Sequence, residues 1–188
     1  VEVLRPKNIN RLNQIFPRDI AFAIADKLVL PNIIEDRKEE ASAIDGLISQ
    51  ISSKFILKMP LEARVEGGDV MPWNEYIFVG YSEIEDFERY IVARTNRAGL
   101  DFLAAAFPTK KIKGFELNKS DIDPRENALH LDCCFQPIGK NSAIIYKGGF
   151  KNEIDVDVLV NYFGAENIIE VNKEEMYNMN ANVFSISE

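Results

Sequence analysis

The sequence predicts an α/β fold built from repeated units of hairpin, helix and strand. Three features support this: paired apolar runs flank short turns, a segment with helical apolar spacing follows each pair, and a further apolar run closes each unit. The order occurs three times, beginning near Asp19, Asp69 and Asp132, at intervals of 50 and 63 residues. Such spacing is typical of repeat and propeller architectures. We therefore expect the copies to pack around a pseudo-symmetry axis within one domain over residues 1–188.

The first unit opens with a hairpin. Apolar runs at residues 20–24 and 28–30 flank a short turn. Apolar residues at helical spacing predict a helix over residues 35–52, with its charged run on the solvated face. Residues 55–59 supply the closing strand, and residues 1–4 are interpreted as the closing strand of an earlier unit.

The second unit repeats this order. Residues 70–72 and 76–80 form its predicted hairpin, and residues 111–117 form its closing strand. Between them, apolar positions predict a helical stretch over residues 83–107, which Gly99 bends or splits.

The third unit uses residues 128–135 as its first strand and residues 143–146 as the return strand. A helix over residues 153–163 and a strand over residues 168–171 complete it. Residues 181–186 look like the first strand of a fourth unit that does not close. We therefore expect the chain to be incomplete at both ends.

The first strand of the third unit holds the only histidine and both cysteines of the chain. Strand alternation places on one face Leu129, Leu131, Cys133 and Phe135, and on the other His130, Asp132 and Cys134. A base and a carboxylate then share a polar face. A histidine that is merely hydrogen-bonded within a core is the alternative. Cys133 is expected to be a small buried hydrophobe.

Composition limits the classes of partner. The net charge is -8, and 28% of residues are charged, which disfavours a nucleic-acid partner because phosphate binding needs clustered cations. No run approaches the roughly 20 apolar residues that cross a membrane, so no membrane partner is expected. Two adjacent cysteines form no disulfide framework, which favours a reducing, cytoplasmic location. A small cationic ligand suits the net negative charge. The sequence is also compatible with a homo-oligomer.

The acidic residues are expected to converge. If equivalent first strands meet near the pseudo-symmetry axis, one pocket would contain Asp19, Glu66, Asp69, His130 and Asp132. The alternative is that these acids only cap turns and helices. A carboxylate–histidine metal site made of His130, Asp132 and Asp69 is a further alternative. We predict neither a metal nor another cofactor.

Several short motifs occur in an order that resembles one enzyme superfamily. The motifs are Pro17-Arg18-Asp19, Glu66-Gly67-Gly68-Asp69, Arg94-Thr95-Asn96 followed by Gly99, His130-Leu131-Asp132, and Asn180-Ala181-Asn182-Val183. This ordered set resembles the amidinotransferase and arginine deiminase superfamily of guanidine-modifying enzymes, the penteins. The resemblance implies an α/β-propeller of five ββαβ units around a polar channel, of which this chain would cover a part. It also implies chemistry through an amidino-cysteine intermediate.

The resemblance also implies roles for single residues. Asp19 and Asp132 are expected to grip a guanidinium, whose five donors carboxylates match in pairs. His130 is the expected general acid or base, and Glu66 a proton-shuttling or His130-orienting acid. Asp69 is expected to orient the site or contact substrate. The remaining candidate is Arg94, which would hold a substrate carboxylate or, alternatively, sit in a surface ion pair.

The superfamily's nucleophilic cysteine lies near the end of the full-length protein, and neither Cys133 nor Cys134 stands at that place. Two functions are therefore compatible with the sequence. The first is a cysteine-dependent amidinotransferase or deiminase-type hydrolase acting on arginine or a related guanidino compound. The second is a non-catalytic propeller module that binds a cationic ligand or a partner protein.

Overall fold

The computed structural model describes residues 3–184 and contains three three-stranded sheets. The strands are, in chain order, β1 Phe22–Ile24, β2 Lys27–Leu30, β3 Ile56–Lys58, β4 Val70–Trp73, β5 Tyr76–Tyr81, β6 Lys111–Glu116, β7 Phe135–Ile138, β8 Ser142–Ile145 and β9 Ile168–Glu170. In every sheet the first two strands are antiparallel and the third is parallel to the second. The predicted α/β class and the threefold repeat of hairpin, helical segment and strand are confirmed.

Short helices connect the strands. The α-helices are α1 Pro17–Ile20, α2 Asp45–Ile48, α3 Ile84–Arg89, α4 Arg97–Ala106, α5 Glu153–Phe163 and α6 Lys173–Tyr177. The 3-10 helices are Glu35–Ile44, Ser53–Phe55, Gly67–Asp69, Pro124–Glu126, Leu131–Cys133, Lys147–Gly149 and Ala165–Asn167. Within residues 3–184, no helix is both long enough and apolar enough to cross a membrane.

The helical segment of the first unit differs from the prediction. Instead of one amphipathic α-helix over residues 35–52, the chain forms the 3-10 helix Glu35–Ile44 and the short α2. Side chains at i and i+3 eclipse in a 3-10 helix, and this brings Arg37 and Glu40 into a bidentate pair. Glu40 is only 3% exposed, so the charged run is not purely a solvated face.

The helical segment of the second unit is split, but not at Gly99. It breaks between α3 and α4, where the Asp121 carboxylate accepts hydrogen bonds from the backbone N–H groups of Ile91 and Val92. Asn96 then caps α4 by accepting from the N–H of Gly99 at 2.9 Å. Gly99 lies in the first turn of α4. The position requires glycine because any Cβ there would clash with the carbonyl oxygen of Arg64.

The strand predicted over residues 128–135 is wrong. His130 precedes the 3-10 turn Leu131–Cys133, and β7 begins only at Phe135. The turn cancels the alternation, so the two cysteines exchange environments. Cys134 is fully buried in the core, whereas Cys133 lines a cavity.

The predicted strands at the two ends are not observed in the described residues. Val3 and Leu4 have no strand structure, and neither do residues 181–184. Residues 1, 2, 185 and 186, which belong to the same two predictions, lie outside the described part.

Two apolar clusters join neighbouring sheets. Between the second and third sheets, Phe78 packs edge-to-face on Phe135 at 5.5 Å, and both are essentially fully buried. Each such side chain stabilises the fold by roughly 1.5–3 kcal/mol on burial. Between the first and second sheets, Val29, Val65 and Val79 belong to the other cluster. These clusters hold the sheets side by side, as the propeller arrangement requires.

A short helical turn precedes the first strand of every sheet. These turns are α1, Gly67–Asp69 and Leu131–Cys133, and each carries an aspartate: Asp19, Asp69 or Asp132. The turn Gly67–Asp69 contacts both of the others. The repeat therefore brings three equivalent acidic positions together at one end of the hairpins.

Candidate active site

The meeting point of the three turns is a buried cluster of charged side chains. The predicted residues present are Asp19, Glu66, Asp69, His130 and Asp132, and all five are buried. Hydrogen bonds between the units connect the first four, and an ion pair with Arg18 connects Asp132, so the predicted spatial convergence is observed. The roles assigned to these residues stay predictions.

The centre of the cluster is a contact between His130 and Glu66. Nε2 of His130 lies 2.9 Å from Oε2 of Glu66, and the Glu66 side chain is fully enclosed. Burial alone would lower the pKa of His130, but the hydrogen bond to Glu66 and the carboxylate of Asp69 outweigh it and raise the pKa from 6.5 to about 9. Burial opposes ionisation of Glu66, yet the contact with His130 lowers its pKa. The pair is therefore an imidazolium and a carboxylate at neutral pH.

Gly68 makes room for the imidazole. A Cβ at this position would lie 2.8 Å from Cγ and Nδ1 of His130 and 3.0 Å from Oδ2 of Asp132. A Cβ at Gly67 would clash with the carbonyl oxygen of Arg18. The two glycines are therefore required by close approach, because neither has a positive φ.

Asp69 connects the second and third units from beneath the site. Its Oδ1 accepts from the backbone N–H of Leu131 at 2.8 Å, and its Oδ2 accepts from the hydroxyl of Thr95 at 2.6 Å. The same hydroxyl accepts from the N–H of Glu66 at 3.2 Å. Burial raises the pKa of Asp69 against the opposing charges of His130 and Lys119. Asp69 thus orients the chain around His130.

Asp19 connects the first unit with the second. Its Oδ1 accepts from the N–H of Gly68 at 2.9 Å, and its Oδ2 accepts from Nη1 of Arg37 at 2.7 Å. The same Nη1 lies 3.3 Å from Oε2 of Glu66. Burial alone would lower the pKa of Arg37, but hydrogen bonds to Glu40 and Asp19 raise it above its ordinary value.

Arg37 and Glu40 were not among the predicted site residues. The sequence signal was an Arg and a Glu three positions apart within a charged run, a spacing that a solvated helix also shows. A solvated pair and a buried pair at the site are distinguished only by the three-dimensional structure, in which the 3-10 helix directs Arg37 toward Asp19 and Glu66.

Asp132 faces the cavity beside Arg18. Nη1 of Arg18 lies 3.6 Å from Oδ2 of Asp132, a separation too long for a tight ion pair. Burial raises the pKa of Asp132 to about 6, against the opposing charges of His130 and Arg18. Among the described residues, its Oδ1 accepts only a long contact from the Cys133 thiol, at 3.8 Å, so this cavity-lining carboxylate is suited to a cationic ligand.

Arg94 is not in a surface ion pair. Its side chain is 12% exposed, Nη1 donates to the carbonyl of Ile91 at 2.8 Å, and Nε lies 3.7 Å from Oε2 of Glu66. Arg94 therefore lines the cavity, and its contact with a substrate carboxylate stays a prediction.

A cavity of about 570 Å³ opens above the cluster. Its lining divides into charged and mainly apolar side chains. The charged ones are Arg18, Asp19, Arg37, Arg94, His130 and Asp132, and the apolar ones include Ile15, Phe16, Leu129 and Val183. Glu66 and Asp69 lie behind the lining residues. This division suits a ligand with one charged end and an aliphatic body.

Neither described cysteine is an activated nucleophile. Burial, assisted by the charge of Asp132, raises the pKa of Cys133 to about 12. Burial also raises the pKa of Cys134, which lies in the core. A thiolate is the reactive form, so both thiols are inert at neutral pH.

One set of potential metal donors is present in the described residues. Asp19, Glu66 and His130 place one donor atom each within 4.8 Å of one another. However, Nη1 of Arg37 contacts both carboxylates, so a guanidinium already supplies the cation there.

The chain is similar in sequence to known proteins over its whole length. A family model described as N,N dimethylarginine dimethylhydrolase, eukaryotic, matches residues 1–188. The protein YkgA of Bacillus subtilis (strain 168) is 30% identical over 199 residues, an alignment that covers 100% of this chain and 61% of YkgA. The chain thus spans about 61% of the length of this curated relative.

Solved structures share the fold. The N-terminal domain of ArgZ, a cyanobacterial arginine dihydrolase solved with bound substrate, has a TM-score of 0.72 and 19% identity, covering 91% of this chain and 58% of that chain. DDAH from Pseudomonas aeruginosa, solved as a mutant with citrulline, has a TM-score of 0.65 and 19% identity, covering 87% of this chain and 55% of that chain. These neighbours have the pentein fold of the guanidine-modifying superfamily, and the chain belongs to the N,N dimethylarginine dimethylhydrolase family within it.

Proposed function

We propose that the protein hydrolyses a C–N bond of a guanidinium group, and that this chain supplies its cation-binding and acid–base residues. The observation that carries the proposal is the buried contact between His130 and Glu66 at 2.9 Å, which adjoins two aspartates of a ligand-sized cavity. A protonated histidine held in this way can deliver a proton to a leaving amine.

Asp19 and Asp132 bind the guanidinium in this proposal. They lie on equivalent turns of different units and both line the cavity. A planar guanidinium offers paired donors to carboxylates, and each charge-assisted hydrogen bond contributes roughly 1.5–3 kcal/mol. Arg37 remains beside both carboxylates, with its Nη1 2.7 Å from Oδ2 of Asp19 and 3.3 Å from Oε2 of Glu66.

The reaction uses His130 as an acid and then as a base. A cysteine thiolate attacks the central guanidinium carbon and forms a C–S bond, and the C–N bond breaks as His130 protonates the departing amine. Neutral His130 then takes a proton from water, whose oxygen attacks the same carbon. The C–S bond breaks and a ureido product leaves. Burial raises the pKa of both Cys133 and Cys134, which disfavours them as that thiolate. The proposal therefore assigns the nucleophile to a cysteine outside the described residues.

The rest of the cavity favours a guanidino acid with an aliphatic chain. Ile15, Phe16 and Leu129 offer apolar surface for methylene groups, and Arg94 offers a cation for a carboxylate. We infer that arginine or an N-methylated arginine is the substrate. The arginine dihydrolase ArgZ and the dimethylarginine dimethylhydrolase family are consistent with this class.

The test is product analysis with the full-length protein that contains this chain. Arginine, N,N-dimethylarginine and agmatine are incubated with enzyme, and ureido product and released amine are quantified. We expect stoichiometric ureido compound and amine from at least one substrate, and a loss of about a hundredfold or more in His130→Ala. Guanidine binding without any product, or full activity in His130→Ala, would contradict the proposal.

A further inference from the structure

A buried lysine next to the site has no part in the proposed reaction. Lys119 follows β6 and is only 8% exposed, although an ammonium group is rarely enclosed without a specific partner. Its Nζ donates to the carbonyl oxygens of Ala128 and Leu129, both at 2.7 Å. Burial lowers the pKa of Lys119, and the nearby charge of Asp69 opposes this change.

The acceptors of Lys119 lie immediately before His130 in the chain. The carbonyl of Leu129 belongs to the peptide bond that precedes His130. The peptide bond that follows His130 is held by Asp69, which accepts from the N–H of Leu131 at 2.8 Å. A buried amine and a buried carboxyl group therefore hold the peptide bonds on the two sides of this histidine.

The segment that carries Lys119 is itself anchored. The N–H of Asn118 donates to Gly149 at 2.9 Å, and its carbonyl accepts from the N–H of Ala128 at 2.9 Å. Its side-chain amide donates to the carbonyls of Gly148 and Phe150, both at 3.0 Å. Lys119 thus extends from a fixed backbone, which makes it a rigid support for residues 128 and 129.

We propose that Lys119 is a positioning residue for His130, fixing the peptide bond before it while Asp69 fixes the peptide bond after it. The backbone on both sides of His130 then holds the imidazole against Glu66, in addition to the hydrogen bond between the two side chains. Displacement of a catalytic group by about 1 Å can cost a hundredfold in rate. This inference rests on the proposed function for its rate effect, but its geometric part is independent of any substrate.

The test compares Lys119→Met with wild type in the full-length protein. Met keeps the length of the side chain and removes its donors. We expect kcat to fall about tenfold to a hundredfold, with KM changed by less than about threefold, since Lys119 does not line the cavity and holds Leu129 only by its backbone carbonyl. The matched control is Lys110→Met, because Lys110 also donates to a carbonyl, that of Asn74 at 2.6 Å, on an exposed turn. Its kcat should be unchanged.

A second measurement does not depend on activity. The pKa of His130 is followed by NMR titration, with His130→Ala identifying the resonance. In Lys119→Met we expect the pKa to fall by roughly one unit or more from its wild-type value, because the contact with Glu66 loosens. If Lys119→Met does not fold, Lys119→Gln, which retains a donor, is titrated instead and should show a smaller fall.

The outcomes separate the two proposals. An active wild type with unchanged kcat and His130 pKa in Lys119→Met would overturn the positioning role and leave the hydrolase proposal standing. A rise in the His130 pKa would also overturn it, because it would show that Lys119 acts only through its charge. A wild type without hydrolase activity would overturn the proposed function, and the titration would still decide the role of Lys119.

Discussion

Nε2 of His130 lies 2.9 Å from Oε2 of Glu66, although the two residues are 64 positions apart and belong to different repeat units. Glu66 begins the turn before β4, and His130 begins the turn before β7. The acid–base pair is therefore a contact between equivalent places in successive units. Its geometry depends on how the units pack rather than on either unit alone.

Loss of the Glu66 charge should shift the pH dependence of activity. In Glu66→Gln the largest influence that raises the pKa of His130 is gone, so this pKa should fall from about 9 toward 6.5. A general acid works only while protonated, so the basic limb of kcat/KM against pH should move down with it. We expect kcat to fall at least about a hundredfold.

The measurement is the pH profile of kcat/KM for Glu66→Gln and for the control Glu170→Gln, whose side chain is exposed at the surface. The control should keep the wild-type profile. A basic limb that stays near pH 9 in Glu66→Gln would contradict the assignment of His130 as the acid.

Asp132 should control binding at low pH. Its pKa is raised to about 6, and only the ionised carboxylate attracts a guanidinium. The value of kcat/KM should therefore decline as the pH falls through about 6. Asp132→Asn should remove this acidic limb and raise KM about tenfold or more, since a charge-assisted hydrogen bond is lost. Asp157→Asn, on the exposed face of α5, serves as control. An acidic limb that persists in Asp132→Asn would assign the titration to another group.

Much of the fold could be predicted from local patterns. Alternating and helical apolar spacing indicated the first two hairpins, the return strand of the third and α5, because an element with one buried face repeats its apolar residues at the period of that element. The convergence of Asp19, Asp69 and Asp132 also followed from the repeat, since equivalent positions in packed copies lie near one axis.

The remainder depended on contacts between units. Arg37 and Glu40 lie in a charged run, and Lys119 lies in a charged loop. Such segments are normally solvated, but here contacts with other parts of the fold bury Glu40 and Lys119. The turn Leu131–Cys133 interrupts a perfect alternation because the N–H of Leu131 is taken by Asp69, 62 positions away. No local pattern contains that information.

Removal of the Arg37 charge should destabilise the fold. Arg37 contacts three buried carboxylates, those of Asp19, Glu40 and Glu66. Breaking a buried ion pair by deleting one partner leaves uncompensated charge and typically costs 3–5 kcal/mol. We expect Arg37→Met to lower the free energy of unfolding by about 3 kcal/mol, measured by urea denaturation.

The matched control for this change is its neighbour in the chain. Lys38 pairs with Glu35, and both side chains are largely exposed. Solvent screens such an exposed pair, so Lys38→Met should be nearly neutral for stability. Equal losses in Arg37→Met and Lys38→Met would show that the cluster around Arg37 is not enclosed in solution.

A side chain at Gly68 should reduce activity more than stability. A Cβ on Gly68 would approach Cγ and Nδ1 of His130 to 2.8 Å, and the imidazole would have to move away from Glu66. In Gly68→Ala we therefore expect the pKa of His130 to fall and kcat to drop about tenfold to a hundredfold. Gly67→Ala should instead reduce stability, because its Cβ would meet the backbone carbonyl of Arg18, which has no rotamer to change.

The control for both changes is Gly46→Ala in α2, where an added Cβ meets no atom within 4 Å. Alanine is the better helix former, so this variant should be as stable as wild type or slightly more so. Kinetics, NMR titration of His130 and urea denaturation of the three variants separate the cases. Gly68→Ala with wild-type kcat and His130 pKa would mean that the imidazole does not rest on Gly68, and the position of His130 against Glu66 would then have another cause.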